Sequence, residues 1–410
     1  DLAYTAWTMG SGVVQLAFSV ETLDQLKFKI KLVLNGKRDT GIYHRGHDAQ
    51  VGKTAYLFSG QGSQYPGMLR DLFVYFPALQ SVLAEGAAYT PAMYPATVYD
   101  DASRKQQQRA LTDTRQAQPA LGLVESALFR WLTSFNLKPD MAAGHSYGEL
   151  VALATAGAFD LTTLIELSSA RAAAMMAVVG ADAGKMAAVS LDVPSLQPLL
   201  ADFPNVVMAN QNSPTQTVIS GSTVEVERAV SALKAQGISA QFIETACAFH
   251  SPMMAAAGHH YAQSLAQHEV WPLKWPVYSN QSATQYESDA VLIRSGLADH
   301  IVSPVRFVAE IEQMYKDGAR TFVEIGPRKV LTNLVGRILG EQPHTAIALD
   351  QEGKGLAGLF DQLAKISVCL PDFDASPLFH GRSHIIDLNK PKLLSASTWM
   401  VNGGRAWPLK

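Results

Sequence analysis

The pentapeptide Gly144-His145-Ser146-Tyr147-Gly148 constrains this chain more than any other feature. A short apolar run ending in Gly, residues 140–144, precedes it, and a Leu- and Ala-rich stretch with helical spacing, about 146–158, follows. Strand, sharp turn and helix in that order belong to a parallel α/β sheet. The two glycines permit the tight turn and let neighbouring backbones approach. Ser146 is then pushed out at a helix N-terminus, where free N–H groups favour developing negative charge. In this frame G-x-S-x-G reads as a nucleophile elbow, and the competing reading is a plain tight turn.

The remainder of the chain divides around that elbow. Residues 13–20 read as a buried strand, 21–34 as a helix with apolar positions at Leu23, Leu26, Ile30 and Leu34, and 39–53 as a polar linker. Residues 54–59 form an apolar strand ahead of the turn-rich Gly60-Gln61-Gly62-Ser63-Gln64, and 119–135 is a long helix. Between 185 and 243 the order becomes strand, helix, strand, strand, helix, strand, which is the ferredoxin-like βαββαβ unit. Strand and helix alternate again from 277 to 349, with 277–280 read as a strand. Residues 370–410 show little periodicity and read as a surface strap. The chain starts at Asp1 without Met, so an excised fragment of a longer polypeptide is expected, with a trimmed tag as the equal alternative.

Composition removes several function classes. Lys and Arg number 33 against 36 Asp and Glu, a net charge of −3, so no excess of positive charge exists to drive nucleic-acid binding. No stretch approaches the ~20 apolar residues needed to cross a bilayer, so no membrane role is expected. Cys247 and Cys369 are too few for a disulfide framework and lack metal-ligand spacing. No metal and a reduced, cytoplasmic location are the expectation.

A serine hydroxyl needs a base within hydrogen-bond reach. Among 11 His, His250 stands out because it follows a strand end in the turn-like Ala248-Phe249-His250-Ser251-Pro252. His145 is expected to point away from the nucleophile, and His300 is a weaker candidate. No Asp or Glu is placed to complete a triad, so a backbone carbonyl is left as the orienting acceptor. The 60–64 turn lacks the Lys and spacing of a P-loop. It either brings one backbone N–H to the elbow, forming an oxyanion hole with the N–H of Tyr147, or is a turn without chemistry. Arg171 is the only charged residue between Glu166 and Asp182, on a helix rich in Ala, Ser and Met. A buried Arg requires a partner, either a structural carboxylate or a substrate carboxylate.

These residues together resemble the acyltransferase domain of polyketide and fatty-acid synthases, the malonyl-CoA:acyl-carrier-protein transacylase family. FSGQGSQYPGM, QAQPAL, GHSYGE, MANQNSPTQTVISG, AFHSPMM, VYSNQSA, SPVRF and FVEIGPRKVLTNLV match the family's motifs in order, over roughly residues 54–350. The fold so implied is an α/β-hydrolase-like large subdomain with a parallel sheet, at 51–180 and 246–350, carrying an inserted ferredoxin-like subdomain at 181–245. Residues 1–50 resemble the linker that follows a ketosynthase, and 351–410 a C-terminal helix with the post-acyltransferase strap. The closing TWMVNGGRAWPL resembles iterative enediyne- and polyunsaturated-fatty-acid-type synthases.

By this resemblance Ser146 is the nucleophile and His250 the general base, oriented by a carbonyl within 303–307. Gln61 and Tyr147 supply the oxyanion-hole amides. Arg171 binds the malonyl carboxylate, while Gln118 and Phe249 shape the acyl pocket. The implied reaction moves malonyl from malonyl-CoA to the phosphopantetheine thiol of an acyl carrier protein, without a cofactor of the enzyme's own. Expected partners are that carrier protein and the other synthase domains, with a ketosynthase on the N-terminal side. Alternatives are an editing acyl hydrolase on the same fold, loading of methylmalonyl or acetyl, or a docking module without catalysis. Tyr147 replaces the more usual Leu, Ile or Gln, and Cys247 stands where malonyl-type domains often carry His. Both are expected at selectivity positions of the pocket. The cluster Lys27, Lys29, Lys31, Lys37 and Arg38 is either a solvated face or a meeting point for an acidic carrier protein.

Overall fold

The structure, a computed structural model, describes residues 1–390 and the backbone of two short strands at 399–402 and 405–408. Helix α1 (Leu2–Met9) opens the chain, followed by strand β1 (Leu16–Ala17), helix α2 (Leu23–Leu34) and strand β2 (Tyr43–His44), which pairs antiparallel with β1. Thr22 caps α2 by accepting the N–H of Gln25. Two expectations change here. The strand over 13–20 shrinks to two residues because its single partner is equally short and its ends, Val13 and Val20, are exposed. The apolar spacing of α2 does not mark a buried face, since Leu23, Ile30 and Leu34 are exposed and Leu26 is only half-buried. The 39–53 stretch is also more ordered than a linker, containing β2 and one helical turn at Arg45–Asp48.

The main unit begins with β3 (Lys53–Phe58), helix α3 (Thr114–Ser134), β4 (Met141–Gly144), helix α4 (Gly148–Thr155) and helix α5 (Leu161–Ala177). The inserted unit follows: β5 (Lys185–Val189), β6 (Val206–Ser213), β7 (Gln216–Gly221), helix α6 (Thr223–Ala235) and β8 (Ala240–Ile243). The chain then returns through helix α7 (Phe307–Lys316), β9 (Ala319–Ile325), helix α8 (Val330–Leu339), β10 (Thr345–Ala348) and helix α9 (Gly355–Cys369).

The large sheet has the order β10-β9-β3-β4 with every pair parallel. Thr54–Phe58 is buried without alternation, as a parallel strand covered on both faces requires. Residues 277–280 contribute only isolated bridges, Val277 to Ala142 and Tyr278 to Gln285, rather than a strand. There the chain turns at once into Ser279 and Asn280, whose side chains bond locally and across to the elbow. Helix α3 begins five residues before the expected start, with Asp113 accepting the N–H of Arg115 and Pro119 held inside it. That extension places Gln118 on a buried helical turn.

The small sheet runs β6-β7-β5-β8, antiparallel throughout, the strand order of a ferredoxin-like unit. It has its own core of Ala187, Val189, Leu196, Ile219, Val226 and Val230. Reciprocal bonds join it to the large unit: Val305 N–H to the Ala209 carbonyl (2.8 Å) and Gln211 N–H to the Val305 carbonyl (2.8 Å). The N-terminal module is fixed to α9 and β10 through Tyr43 Oη to Asp361 (2.7 Å) and Thr345 Oγ1 to the Asp48 carbonyl (2.7 Å). The far part of the expected strap, including 391–398, lies outside the described residues, while Trp399–Asn402 and Arg405–Pro408 pair as an antiparallel hairpin.

Candidate active site

Backbone sterics set the elbow. Ser146 adopts φ 53°, a left-handed conformation unusual for a residue with a Cβ. A Cβ on Gly148 would lie 2.1 Å from the Phe58 carbonyl oxygen, and one on Gly144 would lie 2.0 Å from the Gly148 carbonyl carbon. No side chain fits at either position. The turn is pinned by His145 N–H to the Phe58 carbonyl (2.9 Å) and Ser146 N–H to Asn280 Oδ1 (2.7 Å).

His250 also sits at positive φ, 54°, and its Nε2 lies 2.7 Å from Ser146 Oγ. Its Nδ1 faces two carbonyls, Ser303 at 2.9 Å and His300 at 3.1 Å. Carbonyls only accept, so Nδ1 carries the proton and Nε2 is left with a lone pair aimed at the Ser146 hydroxyl. Burial, with Arg171 and His145 nearby, pushes the His250 pKa down to about 3. The ring is therefore neutral at physiological pH.

The 60–64 turn packs against the elbow so closely that a Cβ on Gly60 would meet the His145 carbonyl oxygen at 2.4 Å. The N–H groups of Gln61 and Tyr147 donate to nothing among the described residues. The Gln61 side chain lies along α3, donating to Thr114 Oγ1 (3.1 Å) and accepting from Gln118 Nε2 (3.3 Å).

Ser146, His250, Gln61, Gln118, Phe249 and Arg171 all line one cavity of about 290 Å³ between the two subdomains. Arg171, on α5, is 3% exposed, and its Nη2 has no hydrogen-bond partner among the described residues. It makes no ion pair among the described residues. Gln118 Oε1 is likewise buried and unpartnered. The cavity is thus lined by one buried cation and one buried acceptor without partners among the described residues. Burial lowers the Arg171 pKa, opposed by Tyr261, Tyr147, Glu149 and Cys247 around it.

Three expectations need correction. The Tyr147 side chain does not line the cavity: it is buried against Gly122 of α3, with its hydroxyl 2.7 Å from Ser168 Oγ. Cys247 does not line it either, since its thiol packs on Met254 Sδ at 3.7 Å and burial pushes its pKa up to about 12. His145 does not point away; it lines the cavity, and its Nε2 lies 2.8 Å from Asn212 Oδ1 of the small subdomain.

Asn280 is the residue that sequence reasoning missed. Its Nδ2 donates to the Gly144 carbonyl (2.6 Å) and to Glu310, and its Oδ1 lies 3.2 Å from His300 Nε2. Its own N–H donates to Glu149, which is buried and has its pKa raised to about 7 by burial. The available signal was a polar Ser-Asn-Gln-Ser turn directly after an apolar run.

A serine in an elbow, a neutral histidine at hydrogen-bond distance and two amides that donate to nothing among the described residues are an arrangement that acyl transfer through a serine can use. The chain belongs to the acyl transferase domain family, which it matches over residues 55–361. It is 34% identical over 316 residues to a polyunsaturated fatty acid synthase component of a Thraustochytrium species, covering 72% of this chain but 11% of that protein. The chain therefore spans about a tenth of that synthase polypeptide. Malonyl CoA-acyl carrier protein transacylase of Escherichia coli K12 is 34% identical, covering 74% of this chain and 98% of the transacylase. Among solved structures, the acyltransferase domain from the second module of the salinomycin polyketide synthase aligns with a TM-score of 0.78 at 27% identity, over 90% of this chain and 87% of that one. A malonyl-transacylase in complex with its type II polyketide acyl-carrier protein aligns with a TM-score of 0.68 at 31% identity, over 76% of this chain and 99% of that one.

Proposed function

We propose that the chain loads malonyl from malonyl-CoA onto the phosphopantetheine thiol of an acyl carrier protein, through an acyl-serine intermediate. The observation that carries this reading is Arg171: a buried guanidinium without a carboxylate partner, opening into the same cavity as Ser146. Arg is suited to bidentate carboxylate binding, and a dicarboxylic acyl group supplies what it lacks. Phe249 and Gln118 line the same cavity and set the space around the acyl chain.

In the first half-reaction Ser146 Oγ attacks the thioester carbonyl carbon while its proton passes to His250 Nε2. The oxyanion is held by the N–H groups of Gln61 and Tyr147. Collapse breaks the C–S bond, and the leaving CoA thiolate takes the proton from His250. In the second half the carrier thiol gives its proton to His250 and attacks the acyl-serine. Ser146 then leaves as the alcohol, recovering that proton. No cofactor enters these steps. The resemblance to synthase components supports a place within a polyketide or polyunsaturated-fatty-acid synthase, beside a ketosynthase, and two buried free cysteines fit a reducing, cytoplasmic setting. Among the described residues no helix is long and apolar enough to cross a membrane.

The test is intact-protein mass after brief incubation with malonyl-, methylmalonyl- or acetyl-CoA. A malonyl adduct on the wild type that is absent from Ser146→Ala is expected. No adduct from any of the three, or an adduct that persists in Ser146→Ala, overturns the mechanism. Free malonate formed faster than malonyl-carrier would favour the hydrolase instead.

A further inference from the structure

His300 is a buried imidazole that the acyl-transfer steps leave without a task. It does not line the cavity, and it sits where the helix Ala290–Asp299 ends. Two separate parts of this residue reach the catalytic pair. Its carbonyl, with that of Ser303, faces His250 Nδ1. Its ring Nε2 lies 3.2 Å from Oδ1 of Asn280, the same oxygen that accepts the Ser146 N–H. The two carbonyls belong to one turn wound onto the helix end. In it His300 N–H donates to the Gly296 carbonyl (2.9 Å), and Ser303 donates to the Asp299 carbonyl from its N–H (3.0 Å) and its Oγ (2.8 Å).

The partners decide which way each group points. The Ser146 N–H only donates, so it must meet Oδ1 of Asn280. The Gly144 carbonyl only accepts, so Nδ2 must face it, and the second Nδ2 proton goes to Glu310. The Asn280 amide therefore has one orientation. His300 Nε2 then meets an oxygen and must carry the ring proton. Its Nδ1 is 3.8 Å from Glu149 Oε1, beyond hydrogen-bond reach. Burial pushes the His300 pKa well below the ordinary imidazole range, and His250, Arg171 and His145 lower it further. The ring is neutral, and its single N–H goes to Asn280.

A line thus joins nucleophile to base outside the cavity: Ser146 N–H, Asn280 Oδ1, the His300 ring, the 300–303 turn and His250 Nδ1. Arg306 N–H to the Asn280 carbonyl (2.9 Å) ties the same two segments three residues past the turn, so the ring is the tie at the turn itself. Ser146 and His250 both sit at positive φ, a conformation their surroundings must hold. The 2.7 Å between Ser146 Oγ and His250 Nε2 depends on both supports staying in register.

We propose that His300 is a positioning residue for acyl transfer: its Nε2–H, donated to Asn280, ties the turn that orients His250 to the amide that holds the Ser146 N–H, and so sets the reach between nucleophile and base. The inference rests on the roles given to Ser146 and His250 under the proposed function.

The test uses the full chain, malonyl-CoA, and rapid-quench measurement of acyl-enzyme formation. His300→Leu removes the N–H and keeps both carbonyls. It should lower the acylation kcat about three- to tenfold, the worth of one hydrogen bond, with KM unchanged. His300→Gln offers an amide N–H to Asn280 and should stay within about twofold of wild type. Combined with Asn280→Ala, His300→Leu should add no further loss, because the ring acts through Asn280. A histidine nitrogen-15 spectrum of the wild type at neutral pH should place the His300 proton on Nε2. Multiplicative losses in the double variant, a His300→Gln as slow as His300→Leu, or a proton on Nδ1 each overturn the proposal. Should His300→Leu fail to fold, His300→Gln and the nitrogen-15 spectrum decide. A wild type that forms no malonyl-enzyme refutes the proposed function. A wild type that does, with His300→Leu as fast, refutes only the role of His300.

Discussion

Replacing Arg171 by Met separates a substrate-binding cation from a structural one, because the two roles predict opposite changes in stability. In the free protein Arg171 is buried, lacks an ion-pair partner and leaves Nη2 unbonded. Burial disfavours its charged form. Met fills similar volume with no charge, and removing an uncompensated buried charge is worth about 1–3 kcal/mol of stability. For a folded unit of this size that raises Tm by about 2–5 °C. Malonyl loading should move the other way. Losing a desolvated carboxylate–guanidinium pair costs about 2–4 kcal/mol, or about 30- to 1,000-fold in the acylation rate. Acetyl-CoA presents no carboxylate, so its rate should not fall, and it should rise to the extent that removing the charge eases protonation of His250. Calorimetry and single-turnover acylation with both thioesters measure these quantities on one preparation. A variant that melts lower than the wild type, or one whose malonyl-to-acetyl ratio is unchanged, refutes the reasoning.

Gly148→Ala places a methyl 2.1 Å from the carbonyl of a buried central strand, and should cost about 3 kcal/mol or more; a melting temperature within a degree of wild type would contradict it. Asn280→Ala removes the acceptor of the Ser146 N–H and the donor to Glu310, so acyl-enzyme formation should slow at least about tenfold together with a loss of about 3 kcal/mol, read by rapid quench and chemical denaturation. With the His250 pKa pushed down to about 3, acylation should run from pH 8 to pH 5 without an inflection near the ordinary imidazole value of about 6.5, since the base form persists as pH falls. The same depression costs stability below pH 6.5, because the unfolded imidazole takes a proton that the folded one refuses. Between pH 6.5 and 5 wild type should therefore lose about 2 kcal/mol more than His250→Gln, a comparison that cancels the opposing gain from Glu149 and Glu324, whose pKa values burial raises to about 7.

What the sequence discloses is what local backbone geometry dictates. Gly144, Ser146 and Gly148 are legible because a strand-to-helix turn this tight admits only glycine at its crossing points. Arg171 is legible because charge is rare on a core helix. The missing triad acid points correctly to a carbonyl, which proves to be those of Ser303 and His300. Residues that act through contacts distant in sequence are not legible in this way. Asn280 lies 134 positions from Ser146, and His300 lies 20 from Asn280, and nothing in either local pattern names the partner. Tyr147 misleads for a different reason. Adjacency to the nucleophile suggests the pocket, but in a left-handed elbow consecutive side chains diverge, and Tyr147 turns inward to Ser168. On α2 the apolar positions are read correctly as one face, yet no layer of the described residues covers it.

The placement of Tyr147 and Cys247 redirects the question of acyl selectivity. Neither touches the cavity, but both surround Arg171, whose charge is also one reason the His250 pKa is low. The site therefore holds a cation that opposes protonation of its own base. A malonyl carboxylate on Arg171 cancels that charge, and the imidazolium formed as Ser146 attacks becomes easier to reach. An acetyl group leaves the charge in place. Discrimination then falls in the rate of the chemical step as well as in binding, since the interaction that differs between the two substrates is one the transition state feels. On this argument the buried phenol and thiol beside Arg171 tune how strongly its charge reaches His250. Gln118, Phe249, Met175 and Met186 line the cavity beside Arg171, and under the proposed function they bound the space left for the acyl chain.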